Sequence, residues 1–363
     1  MLSAASRFLL ASACFWSAVG LLHAATPART LPARATAAAT SLPTKKFGRI
    51  DYVAAEDVAK RLSLRLTWLQ RGRKLALTDS GLRVELENDT RSIVANGVRV
   101  FLGDPILDSA GRLYVSRVDF DRCLTPLLRP GYGTTSLPSP KVVVLDPGHG
   151  GKDTGTSAYE KTYALDVARR AKRILEAAGH RVVLTREKDV FLDLTERAAI
   201  ANANRAGLFA SIHFNAIPKD NKTSGVEVFT FAPANQLSTN SWGGPPDTSD
   251  KSAAPVNRHD HWSSVLAHSV HRRFVTDLKT FDRGKKLARW GVLRGLNCPG
   301  VLIECGFLTS TTEARKISTP EYRQRLAEVI ASGIVDYARK VEAQRLRSSA
   351  RGRPTGPTGA NFE

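Results

Sequence analysis

The chain is poor in cysteine, in acid and in long apolar runs, and each shortage closes off a class of protein. Four cysteines occur in 363 residues, none of them in a CxxC pair, so a thiolate zinc site is unsupported. Cys14 lies in the N-terminal apolar stretch. Without it Cys123, Cys298 and Cys305 remain, an odd number that implies no disulfide framework. A Cys298–Cys305 bridge, short in span, stays open. Acid is scarce too: 34 Asp and Glu against 53 Lys and Arg leave a formal charge of +19, which asks for an anionic partner. Nucleic acid, an acidic membrane surface and anionic envelope polymers all answer that demand. Beyond the first 25 residues no segment approaches spanning length, so no transmembrane domain is expected once those residues are removed.

What is present begins with MLSAASRFLLASACFWSAVGLLHAAT: one early cation at Arg7, an apolar run from Phe8 to Leu22, and small residues at Ala24 and Ala25. That is the layout of a secretory signal peptide over residues 1–25. An uncleaved anchor and a lipoprotein signal around Cys14 are the alternatives. Export argues against a nucleic-acid partner.

Residues 26–45 are rich in Ala, Thr and Pro and read as a linker. Over 46–129 the sequence changes to one helical stretch, DVAKRLSL, and short alternating strands such as KLALT, LRVELEN and VRVFL, joined by Gly and Asn turns. This predicts a small, mostly β accessory domain. It holds no His, Cys or carboxylate cluster with ligand spacing, so a binding or spacer role is expected. A second linker, 130–140, precedes a different texture. From 141 to 343 strands alternate with amphipathic helices, from VVVLD and EKTYALDVARRAKRILEAAGH to VLIE and YRQRLAEVIASGIVDYARKVEA. The pattern predicts an α/β fold with a mostly parallel sheet and helices on both faces. Residues 344–363 are basic, then Pro- and Gly-rich, and read as a disordered tail.

The stretch VVVLDPGHGGKDTG, a strand running into a glycine loop, has the outline of a phosphate site. A dinucleotide loop needs a third glycine where Asp153 stands, and a P-loop needs Ser or Thr after Gly151-Lys152, where Asp153 again stands. Pro147 also removes a backbone donor there. Metal binding fits better. In an open α/β sheet the site forms outside the carboxyl ends of the strands. His149 follows VVVLDPG, His213 follows LFASI, Glu304 follows VLI, and Glu160 opens the helix after the glycine loop. Two imidazoles and a carboxylate make an open catalytic zinc site, and a further carboxylate can take a proton from water. Each residue alone has an ordinary reading as a hydrogen-bonded His, a helix-start acid or an arginine partner. Four of them on one sheet edge favour chemistry.

Taken together, VVVLDPGHGGKDTG, EKTYALDVA, GHRVVLTREKD, LTERAAIANANRAGLFASIHFNA, GVEVF and VLRGLNCPGVLIECGFLTS resemble the zinc-dependent N-acetylmuramoyl-L-alanine amidases of the Amidase_3 type, over roughly 141–340. The resemblance implies one zinc ion on His149, Glu160 and His213, with Glu304 as catalytic base. It implies hydrolysis of the amide between the lactyl group of N-acetylmuramic acid and L-alanine of the stem peptide. Peptidoglycan would then be the substrate, an activator protein a conceivable partner, and the location periplasmic or envelope-associated. A zinc hydrolase of another wall amide, or an inactive wall-binding protein, are the rival readings. Asp146, Asn215 and Arg294 match family positions and would act behind the ligands or on substrate, if they are not simply a turn, a cap or a surface ion pair. The short TSAY segment before Glu160, and Ser310 where the family often has Asn, depart from the pattern. Some related amidases carry a plug over the zinc in the interval matching 232–262, which would make His259, Asp260 and His261 regulatory. His268 and His271, one turn apart, read as a solvated helix face. Residues 46–129 loosely resemble the copper amine oxidase N-terminal-like domain, in YVAAEDVAKRLSL, VANGVRV and GRLYVSRVDF, without implying that copper is bound.

Overall fold

The computed structural model describes residues 42–134, 137–157, 159–239 and 251–351. The expected signal peptide, nearly all of the first linker and most of the basic tail lie outside them. The N-terminal part follows from period-two alternation and two-residue turns. Strands β1 (Lys45–Phe47) and β2 (Ile50–Ala54) lead into helix α1 (Ala55–Leu62). A meander follows: β3 (Arg65–Gln70), β4 (Lys74–Asp79), β5 (Leu82–Glu87), β6 (Ser92–Ala95) and β7 (Val98–Phe101). The β6–β7 turn is Asn96-Gly97, both at positive φ (50° and 78°), the conformation that lets a two-residue hairpin match strand twist. A hairpin of β8 (Leu107–Ser109) and β9 (Arg112–Ser116) joins β1 and β2 in a four-stranded sheet, β1-β2-β9-β8. Short helices α2 (Arg117–Asp119) and α3 (Thr125–Leu128) flank a π-helical turn and close a core of Leu75, Leu77, Val84, Leu86, Val100 and Phe120.

The second part carries β10 (Val142–Pro147), α4 (Glu160–Ala177), β11 (Arg181–Leu184), α5 (Leu194–Ala203), β12 (Leu208–Asn215) and β13 (Val226–Phe231). It continues with α6 (Asp260–Asp277), β14 (Asp282–Ala288), α7 (Gly291–Arg294), β15 (Gly300–Phe307), α8 (Thr311–Ile317) and α9 (Pro320–Arg351). Helix α4 buries Ala164, Val167, Ala168, Ala171 and Leu175, a stripe at helical spacing. Each fully buried Val or Leu there contributes roughly 1.5–3 kcal/mol over the exposed state. Helices α4, α6 and α9 cover one sheet face, around Val143, Leu145, Ile212 and Ile303. On the other face α5 and α7 pack over Val144, Phe209, Phe229 and Leu302.

Sheet direction departs from expectation at one strand. The strands run in the order β11-β10-β12-β15-β13-β14-β7-β6-β5-β4-β3, eleven strands in a sheet that is mixed as a whole, while four of the five ladders among β10–β15 are parallel. Strands β11, β10, β12 and β15 are parallel, but β13 is antiparallel to β15. The physical reason is the connection. Residues 216–225 contain no crossover helix, so the chain leaving β12 returns in the opposite direction. The crossover through α6 then sets β14 parallel to β13. Strand β14 also pairs with β7 through Lys285 and Val100, so both parts share one sheet while keeping separate cores.

Helix α6 departs as well. His268 and His271 are buried, not solvated. The N-terminal part packs onto α6, and His268 Nε2 lies 3.2 Å from the Ala95 carbonyl while His271 Nε2 lies 2.7 Å from Asp282 Oδ1. Burial pushes His268 down to about 3. Cys123, Cys298 and Cys305 are all buried free thiols, so the Cys298–Cys305 bridge is not formed. Among the described residues no helix is long and apolar enough to cross a membrane.

Candidate metal centre and its cleft

Three side chains converge where β10 and β12 end and α4 begins. His149 Nε2 is 3.1 Å from Glu160 Oε1, and His213 Nδ1 is 3.2 Å from the same oxygen and 3.1 Å from His149 Nε2. Four-coordinate zinc with ligand bonds of about 2.0–2.1 Å places neighbouring donors roughly 3.3 Å apart. Two imidazole nitrogens and a carboxylate oxygen at these separations therefore fit that ion in number, kind and spacing. Among the described residues this is the one His/Cys/Asp/Glu grouping close enough to hold a metal.

Each donor is held from behind. His149 Nδ1 lies 2.9 Å from Asp153 Oδ2, which fixes the ring and its tautomer. Glu160 is buried; its Oε2 accepts from Thr156 N–H and hydroxyl at 2.6 and 2.7 Å, and its Oε1 from Phe214 N–H at 3.1 Å. Burial acts to raise the Glu160 carboxyl, but hydrogen bonds and charge from both histidines hold it well below the usual range. Burial likewise acts to lower His149, and hydrogen bonding with Glu160, its charge and Asp153 raise it. His149 itself sits at φ 59°, a left-handed conformation that costs an L-residue about 1 kcal/mol or more.

Two arginines that sequence reasoning left without a role hold that conformation. Arg197, buried on α5, donates from Nη1 to Asp146 Oδ1 (2.8 Å) and the Pro147 carbonyl (2.9 Å), and from Nη2 to the His149 carbonyl (2.8 Å). Arg186 donates to the Pro147 carbonyl at 3.0 Å and the Gly148 carbonyl at 2.7 Å. Burial, with the neighbouring Arg197 charge, lowers Arg186 to about 10. Three successive carbonyls of the loop are thus each bound by a guanidinium. The available signal was an arginine directly after the buried strand VVLT and another in LTERAA, the second of which pairs with the buried acid Asp146.

Glu304 stands beside the donors. It pairs in register with His213 of β12 on one side and Glu227 of β13 on the other. It is nearly buried, and its Oε2 has no hydrogen-bond partner. Burial first, then the nearby Glu160 and Glu227 charges, raises its carboxyl well above the usual range. Glu227 is neutralised by Arg283 at 2.9 Å and Lys286 at 2.7 Å. A cleft of about 530 Å³ opens over these groups, rimmed by exposed Phe191, Leu194 and Trp290.

The remaining sequence candidates divide. Asp146 lies under the cleft and accepts from Thr185 (2.5 Å), Ser211 (2.6 Å) and Arg197, so it acts through its neighbours. Asn215 lines the cleft and donates to Glu227 Oε2 at 3.1 Å. Arg294 does not line the cleft, and its guanidinium stacks on Phe231 at 5.4 Å. His259, Asp260 and His261 do not line it either. His261 Nε2 lies 2.7 Å from the Pro130 carbonyl, and Asp260 accepts from Asn257 at 3.0 Å in the first turn of α6. Part of the interval, 240–250, lies outside the described residues.

Residues 143–336 match the Amidase_3 model, N-acetylmuramoyl-L-alanine amidase, and the chain belongs to that family. An uncharacterized cell wall amidase of Bacillus anthracis is 32% identical over 207 residues, which is 54% of this chain and 35% of that protein. The chain therefore spans little more than a third of that relative's length. N-acetylmuramoyl-L-alanine amidase AmiA of Escherichia coli is 30% identical over 239 residues, 58% of this chain and 81% of that one. The crystal structure of N-acetylmuramoyl-L-alanine amidase from Clostridium difficile 630 is 32% identical and matches with a TM-score of 0.45, covering 55% of this chain and 97% of that one.

Proposed function

We propose that this protein is an exported peptidoglycan hydrolase that cleaves the amide between the lactyl group of N-acetylmuramic acid and L-alanine of the stem peptide. The observation that carries the reading is the convergence of His149, Glu160 and His213 beside the unpartnered carboxyl of Glu304. His149, Glu160 and His213 would hold one zinc ion. When bound, zinc supplies Lewis acidity, polarising a carbonyl and making water easier to deprotonate. Glu304 Oε2 accepts the proton of the attacking water as its oxygen adds to the scissile carbonyl carbon. The same oxygen returns that proton to the alanine nitrogen as the C–N bond breaks, giving a carboxylic acid and an amine, and the acid's proton passes to the amine to leave a carboxylate and an ammonium group. Asp153, Thr156, Arg186 and Arg197 keep the donors in place, while Phe191 and Trp290 offer apolar faces to the substrate. Residues 46–129 would serve as an accessory module of the copper amine oxidase N-terminal-like kind, and the net positive charge would keep the protein on anionic envelope polymers. An activator protein would act on the cleft from outside.

The test is digestion of purified sacculi with and without a chelator, with products identified by mass spectrometry. Stem peptides with a free L-alanine amine are expected, formed only when zinc is present. Products cut within the stem peptide would replace the bond assigned here, and zinc-replete protein that yields nothing would leave a wall-binding role.

A further inference from the structure

A second groove, about 850 Å³, opens at the same end of the sheet as the metal centre but on the opposite face, between α6, α8 and the start of α9. Its position follows from register. Asn215 of the cleft pairs with Phe307 at the end of β15, and Val226 and Asp282, where β13 and β14 begin, sit at that end as well. One ridge separates groove from cleft. Residues 216–221 are laced to 308–311 by Leu308 N–H to the Asn215 carbonyl (2.8 Å), Ile217 N–H to the Thr309 hydroxyl (3.2 Å) and Thr311 N–H to the Asn221 carbonyl (3.2 Å).

The groove is strongly basic. Lys222, Lys279, Arg315, Lys316 and Arg325 all line it, all are exposed, and none enters an ion pair among the described residues. Two acids line the same groove. Glu313 is buried, with both oxygens taken by the N–H groups of Gly225 (3.0 Å) and Phe307 (2.7 Å), which leaves Glu321 as the exposed anion. Exposed cations elsewhere on the described surface are mostly unpaired too, so what distinguishes these five is that they line one concavity together. Five unpaired cations around one concavity repel one another and lower that cost by taking up anionic groups. Phe281, 63% exposed at the same rim, adds an apolar face.

We infer that this groove is an extension subsite for the polymeric substrate, receiving the free carboxylates of stem peptides neighbouring the one in the cleft. The inference rests on the peptidoglycan reading above. A substrate that continues past the scissile bond crosses the 216–221 ridge and meets the cations on its far side. The groove therefore contributes to recognition of the intact wall and not of a single isolated stem.

The experiment compares two fourfold variants in the full chain. The first is Lys222→Gln, Lys279→Gln, Lys316→Gln and Arg325→Gln. The second removes four exposed cations outside the groove: Lys46→Gln, Arg49→Gln, Lys60→Gln and Arg205→Gln. Co-sedimentation with sacculi stripped of phosphate-bearing polymers is measured in a Glu304→Gln background, so that nothing is digested. The groove variant is expected to bind about tenfold more weakly at low salt, with a shallower salt dependence, and the second variant within about twofold of the parent. With Glu304 restored, the groove variant should cleave a soluble single-stem muropeptide within about twofold of wild type and intact sacculi more slowly at low substrate. Equal binding by the two variants, equal loss on both substrates, or a loss seen only on unstripped sacculi would each overturn the inference. Failure of the wild type to cleave the soluble muropeptide would instead count against the catalytic reading and leave the binding comparison readable.

Discussion

Gly148→Ala tests the metal centre through one methyl group. A Cβ at this position would lie 2.3 Å from His213 Cε1, 2.5 Å from Nε2 and 2.6 Å from Nδ1. Carbon atoms rest at about 3.5–4.0 Å, so one partner must retreat by roughly 1 Å. The backbone is poorly placed to do so. Gly148 N–H donates to the Ile212 carbonyl at 3.0 Å, its carbonyl accepts from Arg186, and the flanking carbonyls accept from Arg186 and Arg197. The imidazole of His213 is then the part that moves, and it is one of the three converging donors. A misplacement of about 1 Å costs on the order of 100-fold in rate, or about 2.7 kcal/mol in the barrier. The expected outcome is zinc affinity lowered at least tenfold and kcat/KM lowered about 100-fold or more. Competition with a chelating dye reads the first and release of free amine from muropeptide reads the second. A urea titration checks that the fold persists. Gly148→Ala protein with wild-type zinc affinity and turnover within about threefold would refute the steric argument and, with it, the role of His213 as a ligand.

Glu304→Gln keeps the shape of the side chain but removes its capacity to accept a proton. Turnover should fall by about 10²–10⁴-fold with zinc content unchanged, and normal sacculus digestion by this variant would remove Glu304 from the mechanism. Arg197→Met deletes the cation paired with fully buried Asp146 and takes the guanidinium donor from the His149 and Leu192 carbonyls, which should cost about 3–5 kcal/mol in urea unfolding. A change below about 1 kcal/mol would mean the loop holds itself. Asp260 provides a pH test away from the cleft: burial raises its carboxyl from 3.8 to about 6. The native state therefore holds this proton more tightly than the unfolded chain, so stability falls as pH rises from about 4 through 6, by up to about 3 kcal/mol. Asp260→Asn should remove that fall and raise the urea midpoint at pH 8 but not at pH 3.5. Identical pH profiles for the two proteins would show that Asp260 is not the group responsible.

The strand–helix alternation around the site was legible because its period and its apolar runs are strong. VVVLD, LFASI and VLIE are buried strands, and α4 carries a clean stripe. The convergence of His149, Glu160 and His213 could be anticipated because all three lie at element ends on one sheet edge. Strand β14 could not be seen. It reads DRGKKLA, with three cations and a glycine and little β propensity. Its pairing comes from tertiary context: Lys286 and Arg283 neutralise buried Glu227, and Lys285 is buried with its amine 4.0 Å from Cys123 Sγ. Because β14 bridges to β7, its invisibility also hid the shared sheet and the covered face of α6 that buries His268 and His271.

The glycine loop shows why its outline misleads. A phosphate loop works by pointing free N–H groups at an anion. Here those donors are already taken: Gly148 N–H by the Ile212 carbonyl, Gly150 N–H by the Asp153 carbonyl at 2.8 Å, and Gly151 N–H by Asp189 Oδ1 at 2.7 Å. The carbonyls of Pro147, Gly148 and His149 are turned to Arg186 and Arg197. With the glycine N–H groups and these three carbonyls occupied, the loop's glycines have no backbone group left for an anion. The His149 ring, aimed by Asp153, is what the loop presents to the cleft. The glycines therefore serve approach and not anion binding: Gly148 admits the His213 ring, and Gly155, at φ 77°, leaves room for Glu160 Oε2, which would lie 2.3 Å from an added Cβ. An alanine at either position should disturb the donor set without creating or abolishing any affinity for phosphate, and a phosphate-dependent rise in Tm in either protein would contradict that assignment.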